Sequence, residues 1–491
     1  METTHSDAPA LQNEIVDGAM IGGEWFSADG PERIVIDPAD DTPLAVVHDA
    51  SPNLVDKAVA SARNAFESWA DTPITGRVAA LEAVADALAA NAELLARIET
   101  IDTGKPLNQS VSDIRIGERY FRYYAHAAQH LFGDWIPLGP ATHAYTRREP
   151  YGIVAHITPW NAPISQLTRG VAPSLAVGNT VVVKPSELAP LSSLVLADIV
   201  RRILPPGVFN LVPGDGITTG HALAAHPDID HLTFTGSVAT GIAVSAAASA
   251  NIVATNLELG GKSPAIVFPD ADLDAAVKSA TGALIRNSGQ SCSALTRFIV
   301  HRDVVDEFST RLASRVEKLS IGAGIDDPDV GPLVSAKQRD RVFGLVERAI
   351  GQGAVAFTGG SAPLVVTGHE NGYFAQPTVL GGVTADMEIA QTEVFGPVQT
   401  VIAFETEAEA LAIANGTEYG LASAVFTTNI NVASRLSAKL RAGQVQINGF
   451  VGAGAEIPFG GYRHSGHGRE KGFEALYGYS QVKAVVTHLA Q

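Results

Sequence analysis

The chain holds a single cysteine, Cys292, among its 491 residues. One thiol cannot close an internal disulfide, and no Cys-x-x-Cys or Cys/His metal constellation can be built around it, so no metal is expected. Basic residues are scarce. Lys and Arg number 34 against 52 Asp and Glu, a formal charge of −18 that opposes binding to nucleic-acid phosphates. Apolar runs are interrupted by Gly, Pro or charge well short of the roughly 20 residues a membrane span needs. The opening METTHSDAPALQNE is acidic and lacks the apolar core of a signal peptide. These absences point to a cytoplasmic protein with neither nucleic acid nor membrane as partner. Also missing are GxGxxG and GxxxxGK followed by Ser or Thr, the two standard phosphate cradles.

What is present is ordinary globular material, 46% apolar and 18% charged, enough for more than one core and for roughly two to four domains. Ser51-Pro52 opens a helical run whose apolar residues recur from Val55 to Trp69, and a second amphipathic helix is expected from about Gly76 to Ile101. From Tyr151 the pattern changes. Short β-branched runs at 152–157, 180–183, 209–212, 231–234 and 265–268 alternate with helical stretches, the signature of a parallel sheet covered on both faces. The alternation resumes after Cys292, with strands expected at 295–300, 377–379, 399–404, 422–426 and 444–448. Residues 131–148 lack helical periodicity and read as an arm or hairpin.

Chemistry-bearing residues sit at the breaks between these elements. Cys292 lies in Asn287-Ser288-Gly289-Gln290-Ser291-Cys292-Ser293, a small polar loop that can present a nucleophile. Glu258 stands between Leu257 and Leu259 just before Gly260-Gly261, where apolar neighbours favour a carboxyl near neutrality, suited to act as a base. Asn161 follows Pro159-Trp160 at a strand end, where its amide can donate to an oxyanion. Phe234-Thr235-Gly236-Ser237 runs from strand to helix and offers free N–H groups to a pyrophosphate. Lys184-Pro185-Ser186-Glu187 places a cation and a carboxylate where a ribose could be gripped.

In order along the chain these motifs, with Glu393-Val394-Phe395-Gly396-Pro397 and Pro458-Phe459-Gly460-Gly461, resemble the aldehyde dehydrogenase superfamily from about Ile21 to Val486. The resemblance implies an α/β fold in three parts. These are a Rossmann-like cofactor domain (1–127 and 151–260), an α/β catalytic domain (261–465) and a small β bridging region for oligomerisation (128–150 and 477–491). It also implies NAD(P)-dependent oxidation of an aldehyde to a carboxylic acid, with Cys292 as nucleophile, Asn161 as oxyanion donor and Glu258 activating the hydrolytic water. Cofactor positions map onto Trp160, Lys184, Ser186, Glu187, Gly236, Ser237, Leu259, Glu393 and Phe395. Glu187 would accept from a 2′-hydroxyl and repel a 2′-phosphate, which favours NAD; Lys184 leaves NADP open. A homodimer or homotetramer is the implied assembly.

The substrate wall departs from members that oxidise simple aliphatic aldehydes. Ala162, Arg169 and Ala453 stand where aromatics are common, Arg286 where Phe is frequent, and Gly170 where a lysine is usual. Arg169 with Arg286 is similar to the succinate-semialdehyde dehydrogenase branch, in which two guanidinium groups hold a distal carboxylate. The substrate set is therefore Arg169, Arg286 and Phe459, and the substrate a carboxylate-bearing or bulky aldehyde, with a neutral aromatic or terpenoid aldehyde as the alternative. Two other classes stay open. One is a cofactor-independent cysteine hydrolase, disfavoured because no His adjoins the Glu258 and Cys292 motifs. The other is a catalytically silent binding protein.

Overall fold

Five short segments fix the first sheet: Ile153–Ile157, Thr180–Lys184, Phe209–Leu211, His231–Thr235 and Ala254–Glu258, all parallel and nearly all buried. In the computed structural model, which describes residues 14–452 and 454–489, the sheet has eight strands. An antiparallel pair, Ala19–Ile21 and Glu24–Phe26, extends one edge, and Gly466–His467 closes the other. The chain winds from Ile153–Ile157 outward through Thr180–Lys184 to Phe209–Leu211. It then returns to the opposite side of Ile153–Ile157 with His231–Thr235 and Ala254–Glu258. Such a reversal opens a crevice at the carboxyl ends of the strands, the usual ligand position in open α/β sheets. Trp160-Asn161 and Gly236-Ser237 lie on its two lips.

The second sheet has seven strands in the order Val355–Thr358, Thr378–Gly381, Val398–Phe404, Leu295–His301, Ser263–Val267, Ala422–Phe426, Gln444–Ile447. Its strands are parallel except the first pair. Phe298, Phe308 and Leu312 anchor the core on one side, and Ile299, Phe404 and Leu436 on the other. The third sheet is an arm. Ser480–His488 pairs antiparallel along the whole of Thr142–Pro150, which also takes Trp135–Pro137. Within the described chain the outer edge of Ser480–His488 has no strand beside it, and Val482 and Val486 on it are exposed.

Several expectations need correction. The helix foreseen over 76–101 is two, Ile74–Ala90 and Ala92–Thr103, because Asn91 leaves helical geometry and its amide donates to Ala87 O at 2.8 Å. Residues 107–127, given no element by the sequence reading, form a helix of 21 residues; its aromatics Tyr120, Phe121 and Tyr124 are buried. The early chain also holds strands, Glu32–Asp37 and Thr42–His48, in a stretch to which the sequence reading gave no element. The 131–148 hairpin is present. Expectations resting on residues 1–13, 453, 490 and 491, Ala453 in the substrate wall included, lie outside the described residues. No helix among the described residues is long and apolar enough to cross a membrane.

Candidate active site

The thiol is presented by a strained loop. The Leu273–Ile285 helix ends at Arg286, and Asn287, Ser288 and Gly289 then take left-handed φ values of 45°, 54° and 73°. Two of the three are not glycine, so the conformation costs energy and must be held by its surroundings. It is held closely. The Asn287 amide donates to Asn161 O at 2.7 Å, and the Asn161 amide donates to Gln290 O at 2.9 Å. The Gln290 amide donates to Asn287 O at 3.0 Å, its Oε1 accepts from Val334 N at 3.0 Å, and the Ser288 hydroxyl donates to Gly331 O at 2.7 Å. Gly289 packs so near Gly396 that a Cβ would stand 2.1 Å from the Gly396 carbonyl oxygen. Asn161 is thus tied to the loop two residues before Cys292, with one amide N–H engaged and the other left to donate.

Around the sulfur, charges are close enough to act on it. Burial, opposed by Arg169 and reinforced by Glu393 and Glu258, pushes the Cys292 thiol up to about 12. Glu258 is 2% exposed, and neither carboxylate oxygen has a partner among the described residues. Burial first, then the charge of Glu470, hold its pKa well above the ordinary carboxylate range, against the pull of Arg169. This is the desolvated carboxyl that the sequence suggested.

The cofactor candidates line the crevice. Lys184 Nζ lies 3.4 Å from Glu187 Oε2, and burial lowers the lysine against that partner. Ser237 caps the Val238–Ser249 helix, its hydroxyl accepting from Thr240 N at 3.2 Å; the helix start is exposed to the crevice. Ser186 and Leu259 are buried beside them, and Leu259 packs where a side chain on Gly241 would be. Glu393 Oε1 accepts from Gly261 N at 3.0 Å, and a Cβ on Gly260 would stand 2.3 Å from its other oxygen, so the Gly260-Gly261 pair is what lets Glu393 in. Trp160 and Phe395 meet edge to face at 5.3 Å. A cation, a carboxylate, an open helix N-terminus and two glycines at a switch point form a donor set that fits a dinucleotide.

A family model described as the aldehyde dehydrogenase family matches residues 25–485. The chain belongs to the aldehyde dehydrogenase family. An aldehyde dehydrogenase of Emericella nidulans is 41% identical over 488 residues, covering 98% of this chain and 97% of the relative. A crystal structure of the betaine aldehyde dehydrogenase of Staphylococcus aureus in complex with NAD+ superposes with a TM-score of 0.95 at 37% identity, covering 99% of this chain and 98% of that one. A second structure of that protein with NAD+ gives 0.96 at 36% identity and the same coverage.

In this aldehyde dehydrogenase Arg169 and Arg286, expected to hold a substrate carboxylate together, each meet a protein carboxylate of their own. Arg169 is 6% exposed, and its Nε is ion-paired with Glu470. Its guanidinium lies 5.3 Å from the centre of the Phe459 ring, which Lys471 Nζ approaches to 5.7 Å from its own side. The charge of Arg169 is therefore already balanced inside the protein, which corrects its assignment as a free carboxylate anchor. Arg286 differs. Its side chain is half exposed and touches Asp113 at 3.4 Å, while the second oxygen of Asp113 is held by Lys105 at 2.6 Å.

Glu470 and Asp113 were not singled out from the sequence, and residues 287–290 were read as a polar loop without the hydrogen bonds that hold it. The signal for Glu470 was available in Gly468-Arg469-Glu470-Lys471-Gly472, a charged triplet enclosed by glycines. His464 pairs with Glu418 and His467 bonds Thr255. Among the described residues no group of His, Cys, Asp and Glu is placed to hold a metal.

Proposed function

We propose that the protein oxidises an aldehyde carrying an anionic group to its carboxylic acid, using NAD, through a covalent intermediate on Cys292. Cys292 Sγ bonds to the carbonyl carbon, the C=O π electrons move to oxygen and the thiol proton passes to water in the crevice, giving the oxyanion of a thiohemiacetal. The free N–H of the Asn161 amide and the Cys292 backbone N–H stabilise the oxyanion; two such donors typically contribute several kcal/mol, about 3 each. Trp160, Lys184, Ser186, Glu187, Gly236, Ser237, Leu259, Glu393 and Phe395 would hold the dinucleotide, which when bound supplies the hydride acceptor. Glu187, half-buried beside Lys184, is arranged to accept from a ribose hydroxyl. Glu258 then takes a proton from water, the hydroxide adds to the thioester carbonyl, and the C–S bond breaks to free the acid. A carboxyl whose proton affinity is raised by burial is matched to that task.

The observation that carries the substrate reading is the half-exposed Arg286 at the wall, with Lys471 close enough to feel both Arg286 and Arg169. Burial and those two cations bring Lys471 down to about 8. Such a wall favours an anion. A quaternary ammonium group, by contrast, is recognised by an aromatic cage, and a half-exposed guanidinium such as that of Arg286 would repel it. We therefore place the substrate of this chain in a different charge class from betaine aldehyde.

Comparing kcat/KM for succinate semialdehyde and for pentanal in wild type and Arg286→Met tests the reading. Loss of the anchor lowers the ratio of the two by about tenfold or more, in line with a charged hydrogen bond of roughly 1.5–3 kcal/mol. A ratio unmoved by the substitution removes the anionic substrate and favours the neutral aromatic or terpenoid alternative.

We also place the protein in the cytoplasm as a homodimer or homotetramer. The open, β-branched edge of Ser480–His488 is suited to extend a sheet of a second subunit.

A further inference from the structure

The first sheet has two unlike faces. On one, Ile153, Ala155, Ile157, Leu232, Phe234 and Leu257 join a common apolar core. The other, under the Pro163–Val177 helix, carries His156, His231, Thr233, Asn256 and Glu258, all 4% exposed or less. Strand register sets these side by side. His156 is opposite Thr233, Thr233 is opposite Asn256, and Glu258 and His231 lie two residues further along the same face in opposite directions. A central parallel strand is normally apolar on both faces, so a polar row through three adjacent strands calls for an explanation.

The middle of the row is joined through Tyr479. The Tyr479 hydroxyl lies 3.0 Å from the Thr233 hydroxyl and also bonds the Asn256 side chain. Its ring lies 5.8 Å from that of His156 and 5.5 Å from that of His231. His231 in turn stacks at 4.8 Å on Tyr151, which is partly exposed. Gly170 supplies the headroom, since a Cβ there would stand 2.8 Å from His156 Nδ1 and 3.1 Å from the Tyr479 hydroxyl. Several polar atoms along the row have no partner among the described residues: both oxygens of Glu258, Asn256 Oδ1, His156 Nε2, and both ring nitrogens of His231. Buried groups of this kind are met by ordered water.

We infer that this row is a proton exit, with Asn256, Thr233, Tyr479, His156 and His231 positioning water between Glu258 and the surface at Tyr151. The inference rests on the reading of Glu258 as the base. Each turnover of thioester hydrolysis places one proton from water on Glu258, and that proton must leave before the next. Hydroxyls accept and donate at once, and a neutral imidazole offers one nitrogen of each kind. Burial keeps both imidazoles neutral, at about 3 for His156 and about 4 for His231, so neither ring traps the proton in transit. Two steps of two residues cover about 13 Å, from the level of Glu258 at the carboxyl ends of the strands to that of His231 at their amino ends, at roughly 3.3 Å per residue.

The test uses 4-nitrophenyl acetate, which acylates a thiol and needs neither cofactor nor aldehyde. The rapid first release of nitrophenolate reports acylation of Cys292, and the steady state that follows reports deacylation. Tyr479→Phe, which removes one hydroxyl, and Thr233→Val are expected to keep the first phase and slow the second about tenfold. That is part of the roughly 10²–10⁴-fold that a positioned base contributes. His156→Leu does the same and His156→Gln restores the rate, while the solvent deuterium effect on the second phase rises in the slow variants. An unchanged second phase in Tyr479→Phe and Thr233→Val overturns the inference. So does equal loss of both phases, the mark of a merely structural role. Glu258→Gln separates the two readings: if it deacylates like wild type, the assignment of the base fails, whatever the row does.

Discussion

Replacing Glu393 by Gln should make the protein more stable, and only above a defined pH. Burial, opposed by the Gly261 N–H and by Arg341 and Lys262, raises this carboxyl from 4.5 to about 7. Between those values the folded state keeps a proton that the unfolded chain has lost, so stability falls as pH rises through the window. At 1.36 kcal/mol per pH unit, the interval from 4.5 to about 7 amounts to about 3 kcal/mol. Glu393 keeps part of its surface in the open crevice, and solvent recovers some of that, leaving about 2 kcal/mol. Gln preserves the acceptor for Gly261 N and carries no charge. The two proteins should melt together at pH 4.5 and diverge by pH 8, with the variant higher by about 4–8 °C for a domain of this size. Thermal unfolding of the cofactor-free protein across pH 4.5–8 measures it. Parallel melting curves at every pH, or a gap that narrows as pH rises, would refute the reasoning.

Other substitutions follow from the same geometry. Gly289→Ala places a methyl against the Gly396 carbonyl at positive φ and should cost about 2 kcal/mol or more; it should also slow the nitrophenyl acetate burst, both readable in one preparation. Arg169→Met leaves Glu470 buried without its cation and should destabilise by about 3 kcal/mol, seen in urea unfolding, while the succinate semialdehyde to pentanal ratio stays near wild type. Arg297 donates to the carbonyls of Lys262, Ile413 and Ala414 at 2.9, 2.9 and 2.8 Å. Arg297→Met should cost about 3 kcal/mol in the same assay, with no specific change in substrate ratio. Val482→Lys with Val486→Lys should shift the assembly toward smaller species in light scattering, without loss of secondary structure.

Much of this was legible in the sequence, for identifiable reasons. Four strands of the first sheet, at 153–157, 180–184, 209–211 and 231–235, are short and apolar on one face and could be read to within a residue or two, whereas Ala254–Glu258, with polar Thr255, Asn256 and Glu258, was not foreseen, and the run expected at 265–268 belongs to the second sheet. Cys292, Glu258 and Asn161 stood out because each follows an element and precedes glycine or a polar turn. The long 107–127 helix was not legible: its buried face mixes Ser110, Asp113, Gly117 and aromatics, so the apolar period is diluted. The ion pair of Arg169 was not legible because its partner Glu470 lies 301 residues away in the chain, and a contact of that span leaves no trace in local pattern. The polar row was hidden for a similar reason. His156, Thr233 and Asn256 each look like an isolated polar residue until strand register aligns them.

Three consecutive left-handed residues ahead of the nucleophile have a consequence for altering this enzyme. The loop that carries the sulfur is held by the Asn161 amide and carbonyl, by Val334 N and by close packing on the Gly396 carbonyl. Substitution at Ala162 or Arg286 should therefore alter which aldehydes are accepted while leaving the 287–289 backbone as it is. Variation inside 287–289, even where nothing meets the aldehyde, would be felt first as a misdirected attack.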